Sequence, residues 1–435
     1  MTRALCALTV AAAALAGAGQ AASRLAGQPA QAARYWGQWR GPSATGVSTT
    51  ATPPVEWSES KNIRWKIPIP GRGSASPIVW GDRVYLLTAI AGDGSTGARG
   101  GIPHRFVVMA LDRVTGKVVW EKVAREEAPH ESAHTENGTF ASSSAITDGE
   151  HVIAPFESRG IYAYDMNGTL VWQKDLGDKR MRNQFGEGAT PVLHGNRLVY
   201  NWDHQGQSFI VALDKRTGEE LWRKTREEID SWFTPLVVTV NGRAQVVTGA
   251  MNKIQSYDLE TGDIVWHTAG LTMNPIPSPV AADGLVVLMS GFRGNSIKAI
   301  KLAEAKGDIT GTSAIAWTLD RDAPYVPSPL LYDGALYVLK GNTGVLTVFD
   351  ANTGKPHYAL QRLDAVPNVF ASPVGAAGRV YIPGREGATV VLKHGTTFEQ
   401  LGVNKLDDGF DASPALVDRE IYLRGYRNLY CIAEK

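Results

Sequence analysis

Two groups of residues in this chain could do chemistry. The stretch His130-Glu131-Ser132-Ala133-His134 has the H-E-x-x-H spacing in which two histidines on one helical turn hold zinc and the glutamate acts as base. It follows Pro129 in a linking segment with no helical apolar periodicity, and no third ligand stands at the usual spacing, so no metal is assigned to it. The second group is a recurring cation beside a glycine turn: Arg159 before Gly160, Arg293 before Gly294, Lys340 before Gly341, Arg385 near Gly387, and Arg424 and Arg427 around Gly425. Brought around one axis, these would form a positive rim suited to an anionic partner. Asp203, His204 and Trp232 would add polar and stacking contacts to the same mouth. The plainer alternative is that the glycine serves the turn, the cation is solvated, and Trp232 is a packing residue. No glycine-rich phosphate loop, G-x-S-x-G elbow or Ser/His/Asp order stands out, so no catalytic residue is assigned.

The elements that must position these turns are repeats. A short apolar strand opens after Ser76-Pro77, Thr190-Pro191, Thr234-Pro235, Ser278-Pro279, Ser328-Pro329, Ser372-Pro373 and Ser413-Pro414, with Ser143-Ser144 as a variant lacking proline. A hairpin turn follows most of these openings, such as Asp283-Gly284 or Asp333-Gly334. The second half of each unit reads A-x-D-x-x-T-G-x-x-x-W. It is complete from Ala110 to Trp120 and from Ala212 to Trp222, and it erodes toward the C-terminus. Residues 62–67, N-I-R-W-K-I, look like the end of a unit whose beginning is missing, and after Cys431 the last unit stops one strand short. Eight openings, four strands each, and a spare strand at the front have one economical solution. It is an all-β, eight-bladed β-propeller with four-stranded blades, closed when the N-terminal strand completes the last blade. Proline cannot donate to a ladder, so Ser-Pro belongs on the innermost strand, beside the channel. The recurrent tryptophan ends the outermost strand, where it packs into the next blade. In such a ring the long connections, among them 88–105, 121–142, 173–188 and 223–232, all fall on one face, which is where a binding site is expected.

Lys+Arg 44 against Asp+Glu 43 leaves a net charge of +1, which speaks against a nucleic-acid partner. Residues 1–22 read as a secretory signal, with Arg3 followed by an alanine-rich apolar run and a small-residue cleavage site, so no transmembrane segment is expected after cleavage. Cys6 lies too close to the start to be lipidated after such a run, and the mature chain would keep only Cys431. Residues 23–60, with Trp36, Trp39 and Trp57, read as an arm laid over a surface, and residues 61–435 as the propeller. The expected compartment is the periplasm or the outside of a bacterial cell.

The motif A-x-D-x-x-T-G-x-x-x-W resembles the repeats of the pyrroloquinoline-quinone (PQQ) type propeller superfamily over nearly the whole mature chain. With Tyr35-Trp36-Gly37-Gln38-Trp39-Arg40-Gly41-Pro42 in front, it is most similar to PQQ-like or BamB-like envelope proteins. The resemblance implies one of two functions. One is a non-catalytic envelope scaffold that binds a protein, a peptide or a small anionic ligand on its long-loop face, without cofactor. The other is a PQQ- and Ca²⁺-dependent dehydrogenase of alcohols or sugars, with PQQ and Ca²⁺ over the channel. The adjacent cysteines typical of such dehydrogenases have no counterpart in the mature chain.

Overall fold

A computed structural model describes residues 32–434. The expected signal sequence lies outside the described residues. Eight four-stranded antiparallel units close into a ring, as the repeats require. The third blade is representative: Val192–His194, Arg197–Trp202, Phe209–Asp214 and Glu220–Thr225 run from the channel outward. In the eighth, the three C-terminal strands Ala415–Val417, Glu420–Arg424 and Asn428–Ala433 are completed by Ile63–Pro68 from the front of the chain.

The core lies between blades. The apolar clusters of the molecule each combine residues from adjacent blades, for example Ile153 and Ile161 of the second blade with Leu198, Tyr200 and Val211 of the third. The repeat motif builds these seams. Asp214 caps its turn by accepting a hydrogen bond from the Arg216 N–H (2.8 Å). Ala212 pairs directly with Trp222 across the sheet, but the next pair is Leu213 with Glu220. That one-residue bulge explains why three residues separate the glycine from the tryptophan, and it aims the indole out of its own sheet. The same shift recurs at Trp120, Trp266 and Trp317.

Each such indole then docks on the following blade. Trp65, Trp120, Trp172, Trp222 and Trp317 donate through Nε1 to the carbonyls of Arg113, Met166, Lys215, Leu259 and Ala351, at 2.7–3.2 Å. Each acceptor is the residue after the motif aspartate or its equivalent. Trp65 comes from the N-terminal strand, so ring closure uses the same joint as four of the other seams. Trp266 faces the fifth blade, where the motif has lost its aspartate, and its buried Nε1 has no partner among the described residues. The seventh blade lacks the tryptophan, and Trp57 of the arm lies stacked on its Tyr381 (6.3 Å).

The turn aspartates also make stability depend on pH. Hydrogen bonds from Arg216, above all, hold the Asp214 carboxyl down at about 2. A depressed carboxyl contributes stability that is present above its unfolded value near 4 and is lost as pH falls toward 2. Asp214→Ala is expected to cost about 1 kcal/mol at neutral pH. The gap to the native protein should close as acid titrations approach pH 2, and a gap of constant size would reject the carboxylate as its source.

The described part of the arm lies on the blades only at its end, where the Pro53 carbonyl accepts from Arg379 (2.8 Å) and Trp57 covers Tyr381; its earlier residues go elsewhere. Trp36 bridges to Val79 of the first blade, and Val47–Ser48 adds a parallel fifth strand to Val374–Ala376 of the seventh. Residues 36–48 therefore enter the channel from the tight-turn face and plug it. Inner strand edges offer free backbone groups, and a chain segment satisfies them where none of the ring's own strands can reach.

Candidate functional site

With one end plugged, the channel becomes a funnel that opens on the long-loop face, with a volume of about 400 Å³. Its floor is Trp39 of the arm, whose Nε1 donates to Ser278 Oγ (2.8 Å). Above the floor runs a ring of hydroxyls. In six of the eight blades the residue two before the inner strand donates its backbone N–H to the hydroxyl of its equivalent in the next blade: Ser76 to Ser144, Ser144 to Thr190, Thr190 to Thr234, Ser278 to Ser328, Ser328 to Ser372 and Ser372 to Ser413, at 2.9–3.2 Å. The serine and threonine at the Ser/Thr-Pro openings are thus inter-blade links. The openings were visible in the sequence, but the work of their hydroxyls was not. Phe185, Trp232, Phe292, Tyr325 and Phe370 form the wall, all half-buried, with Phe292 and Tyr325 stacked at 4.7 Å.

The long loops and glycine turns share this face as expected, but the cations do not form a free positive rim. Arg159 is buried against Glu187 and lies over the Phe140 ring at 5.4 Å. Arg424 is buried in the seam between the last and first blades, donating to the Leu87 carbonyl (2.6 Å), and burial pushes its pKa down to about 9. Lys340 pairs with Asp322 (3.1 Å), and Arg427 with Asp407 (3.3 Å). Arg385 is held by Asp411 (2.8 Å) and Asn137 (2.6 Å) and covers Phe370 at 4.2 Å, so it backs the wall. Arg293 is exposed above Phe292. Asp203 is fully buried in a two-pronged pair with Arg226 (2.8 and 3.2 Å), a joint that also holds Gln255 and Tyr257. Burial, with Lys179 nearby, pushes the His204 pKa below its ordinary value, and its Nδ1 accepts from the Arg180 N–H. Of the residues expected at the mouth, Trp232 lines the funnel, with its Nε1 on the Gly186 carbonyl (2.7 Å), and His134 of the H-E-x-x-H stretch lines it too. The physical reason is desolvation: a guanidinium this close to packed blades needs a carboxylate or carbonyl partner, and closure of the ring supplies one.

The H-E-x-x-H residues diverge. His130 Nε2 bonds the Lys179 carbonyl (2.6 Å), Glu131 accepts from the Met181 N–H (3.1 Å), and His134 packs on Phe185. The segment is not helical. Among the described residues one trio has metal-ligand proximity, Asp148, Glu150 and His151. It lies on the tight-turn face, where Lys215 bridges both carboxylates.

The charge inside the funnel is balanced. Its two carboxylates are Glu187, which burial raises but Arg159 and Lys179 pull below the ordinary value, and Asp411, which burial raises against the pull of Arg385. Among the described residues no lysine or arginine lines it.

The profile of the family described as "Outer membrane protein assembly factor BamB" matches residues 47–210 and 206–435. The chain belongs to this family. Within curated proteins, the BamB-family chain is similar to the Outer membrane protein assembly factor BamB of Francisella salina, 34% identical over 100 residues. That match covers 23% of this chain and 18% of the relative, so it spans about a fifth of the relative's own length. The factor of the same name from Burkholderia pseudomallei is 23% identical across 82% of this chain and 72% of its own. A quinoprotein ethanol dehydrogenase of Pseudomonas putida is 25% identical over 33% of this chain and 24% of its own. Among solved structures, BamB from Moraxella catarrhalis is similar at a TM-score of 0.57 and 12% identity, covering 84% of this chain and 98% of its own. The quinohemoprotein alcohol dehydrogenase of Comamonas testosteroni is similar at 0.62 and 12%, covering 93% and 82%. At these identities the likeness to solved structures is one of fold.

The dehydrogenase neighbours raise the question of whether this funnel suits PQQ. The quinone carries three carboxylates, and its Ca²⁺ needs unengaged oxygen ligands. The funnel offers no cation from its lining, and both its carboxylates are already paired. The residues present do not fit the group.

Proposed function

We propose that this BamB-family protein is a non-catalytic propeller scaffold of the bacterial cell envelope that binds a protein partner on its long-loop face. The observation that carries the reading is one-sidedness. Strand order puts most of the long connections on the open end of the funnel, residues 302–314 of the fifth blade being an exception, while the arm plugs the opposite end. A rigid ring that gathers its variable loops on one rim is built to hold something there. Relatives described as outer membrane protein assembly factors support an envelope role. Among the described residues no helix is long and apolar enough to cross a membrane.

An anionic ligand is not the favoured occupant, because the rim's cations are mostly engaged. The quinone alternative is tested directly. Titration with PQQ and Ca²⁺ is expected to give no bound-quinone spectrum and no dye reduction, and either signal would overturn the scaffold reading in favour of a dehydrogenase. Cross-linking in intact envelopes should recover a defined partner. Replacing the loop 92–103 with a Gly/Ser linker of equal length should reduce that recovery at least about tenfold while leaving the ring folded. Equal recovery would move the interface off this face.

A further inference from the structure

The funnel itself has a chemistry distinct from protein docking on its rim. It is deep, blind and about 400 Å³, within the ~300–1,000 Å³ typical of small-molecule sites. Its walls are partly exposed aromatic faces, and its carboxylates are paired, so the lining presents no free charge. Neutral donors and acceptors remain between the rings. Asn342 uses its Oδ1 on the Val326 N–H and Asn137 uses its Oδ1 on Arg385, leaving both amide nitrogens for a ligand. Ser142 and the hydroxyls of the inner ring lie below them.

Each ligand class meets this lining differently. An anion would find no free cation in the lining, because Arg159 and Arg385 behind it are already paired with Glu187 and Asp411. A cation would find both carboxylates already engaged. A purely apolar molecule would cover amides and hydroxyls without satisfying them, at the usual desolvation cost. A neutral ring with hydroxyls around its edge and C–H groups on its face matches both components: the C–H face lies on the indole and phenyl rings, and the hydroxyls meet the amides and serines. We propose that the funnel is a binding site for a neutral saccharide of two to three sugar units, stacked on Trp232 and the Phe292–Tyr325 pair above the Trp39 floor. The proposal uses the same face as the scaffold reading but does not depend on a protein partner.

The test is calorimetry and tryptophan fluorescence on the full chain with cellotriose, maltotriose and chitotriose. A galacturonic acid trimer and the peptide Ala-Trp-Ala serve as controls. At least one neutral trisaccharide should bind with submillimolar affinity and outcompete both controls. Trp232→Ala should weaken it about tenfold or more. Trp232 also supports Gly186, so Phe292→Ala, whose ring is partly exposed on a turn, is the variant that spares the fold. It should weaken binding severalfold with an unchanged melting temperature. Absence of binding by all three sugars overturns the proposal, as does tighter binding of the uronate. Peptide binding alone would also overturn it, assigning the funnel to a protein segment. Loss of sugar binding with partner capture intact would leave the scaffold reading standing, and partner loss with sugar binding intact would do the reverse.

Discussion

Trp222→Ala is expected to destabilise the ring by about 3–5 kcal/mol, the range for emptying a buried indole site. The indole is 8% exposed and its Nε1 holds the Leu259 carbonyl at 3.0 Å. Its ring lies so close over Gly262 that a Cβ there would fall 2.6 Å from it. Gly262 also sits at φ +72°, where a side chain is strained. Gly262→Ala should therefore be costly in its own right, by about 2 kcal/mol or more. The decisive measurement is the double variant. Once the indole is gone, the added methyl has room, so the combined loss should be smaller than the sum by about 1 kcal/mol or more. Strict additivity in urea denaturation would show that the tryptophan and glycine do not form one joint. As a contrast, Trp266→Phe removes a buried N–H with no partner among the described residues, and should cost about 1 kcal/mol less than Trp222→Phe, which breaks a made bond.

The second large effect concerns the plug. Arg40 is 2% exposed and has no carboxylate; burial pushes its pKa down to about 9. Its guanidinium instead donates to the carbonyls of Pro329 (2.6 Å) and Pro373 (2.7 Å), at the inner strands of the sixth and seventh blades. Gly46 is required beside it, since a Cβ there would lie 2.3 Å from the guanidinium. Arg40→Ala leaves two buried carbonyls without donors, at about 1–3 kcal/mol each, partly offset because the charge no longer has to be desolvated. The expected net loss is about 2–4 kcal/mol, concentrated in the arm. Limited proteolysis should cut the variant within residues 36–48 much faster than the native chain, while the blades stay resistant. If the arm remains equally protected, Trp36 and the Val47–Ser48 strand hold the plug without the arginine. Arg40→Met, which keeps the stem, should fall between the two.

These two joints also mark how far the sequence could be read. The propeller, its eight blades and its closing strand were legible because they follow from local rules repeated many times. The strand alternation, the Asp-capped turn and the tryptophan three residues beyond the glycine recur often enough to cancel single exceptions, and each needs only residues within its own unit. The face carrying the long loops followed from strand order alone. The site was legible only in outline. Charged residues beside the turns were visible, but their partners lie from 23 to 248 residues away along the chain: Arg385 with Asp411 and Asn137, Arg159 with Glu187, Asp203 with Arg226. Whether such a charge is free or paired depends on which loops the closed ring brings within about 3 Å, and no sequence spacing carries that information. Trp39 was just as hidden, since its role as a floor exists only once the arm enters the channel. By itself the sequence determined a ring of blades with one busy face. The tertiary structure decided that the face opens on a blind, charge-balanced, aromatic funnel, because burial compels each guanidinium to find a partner and leaves the aromatic faces uncovered.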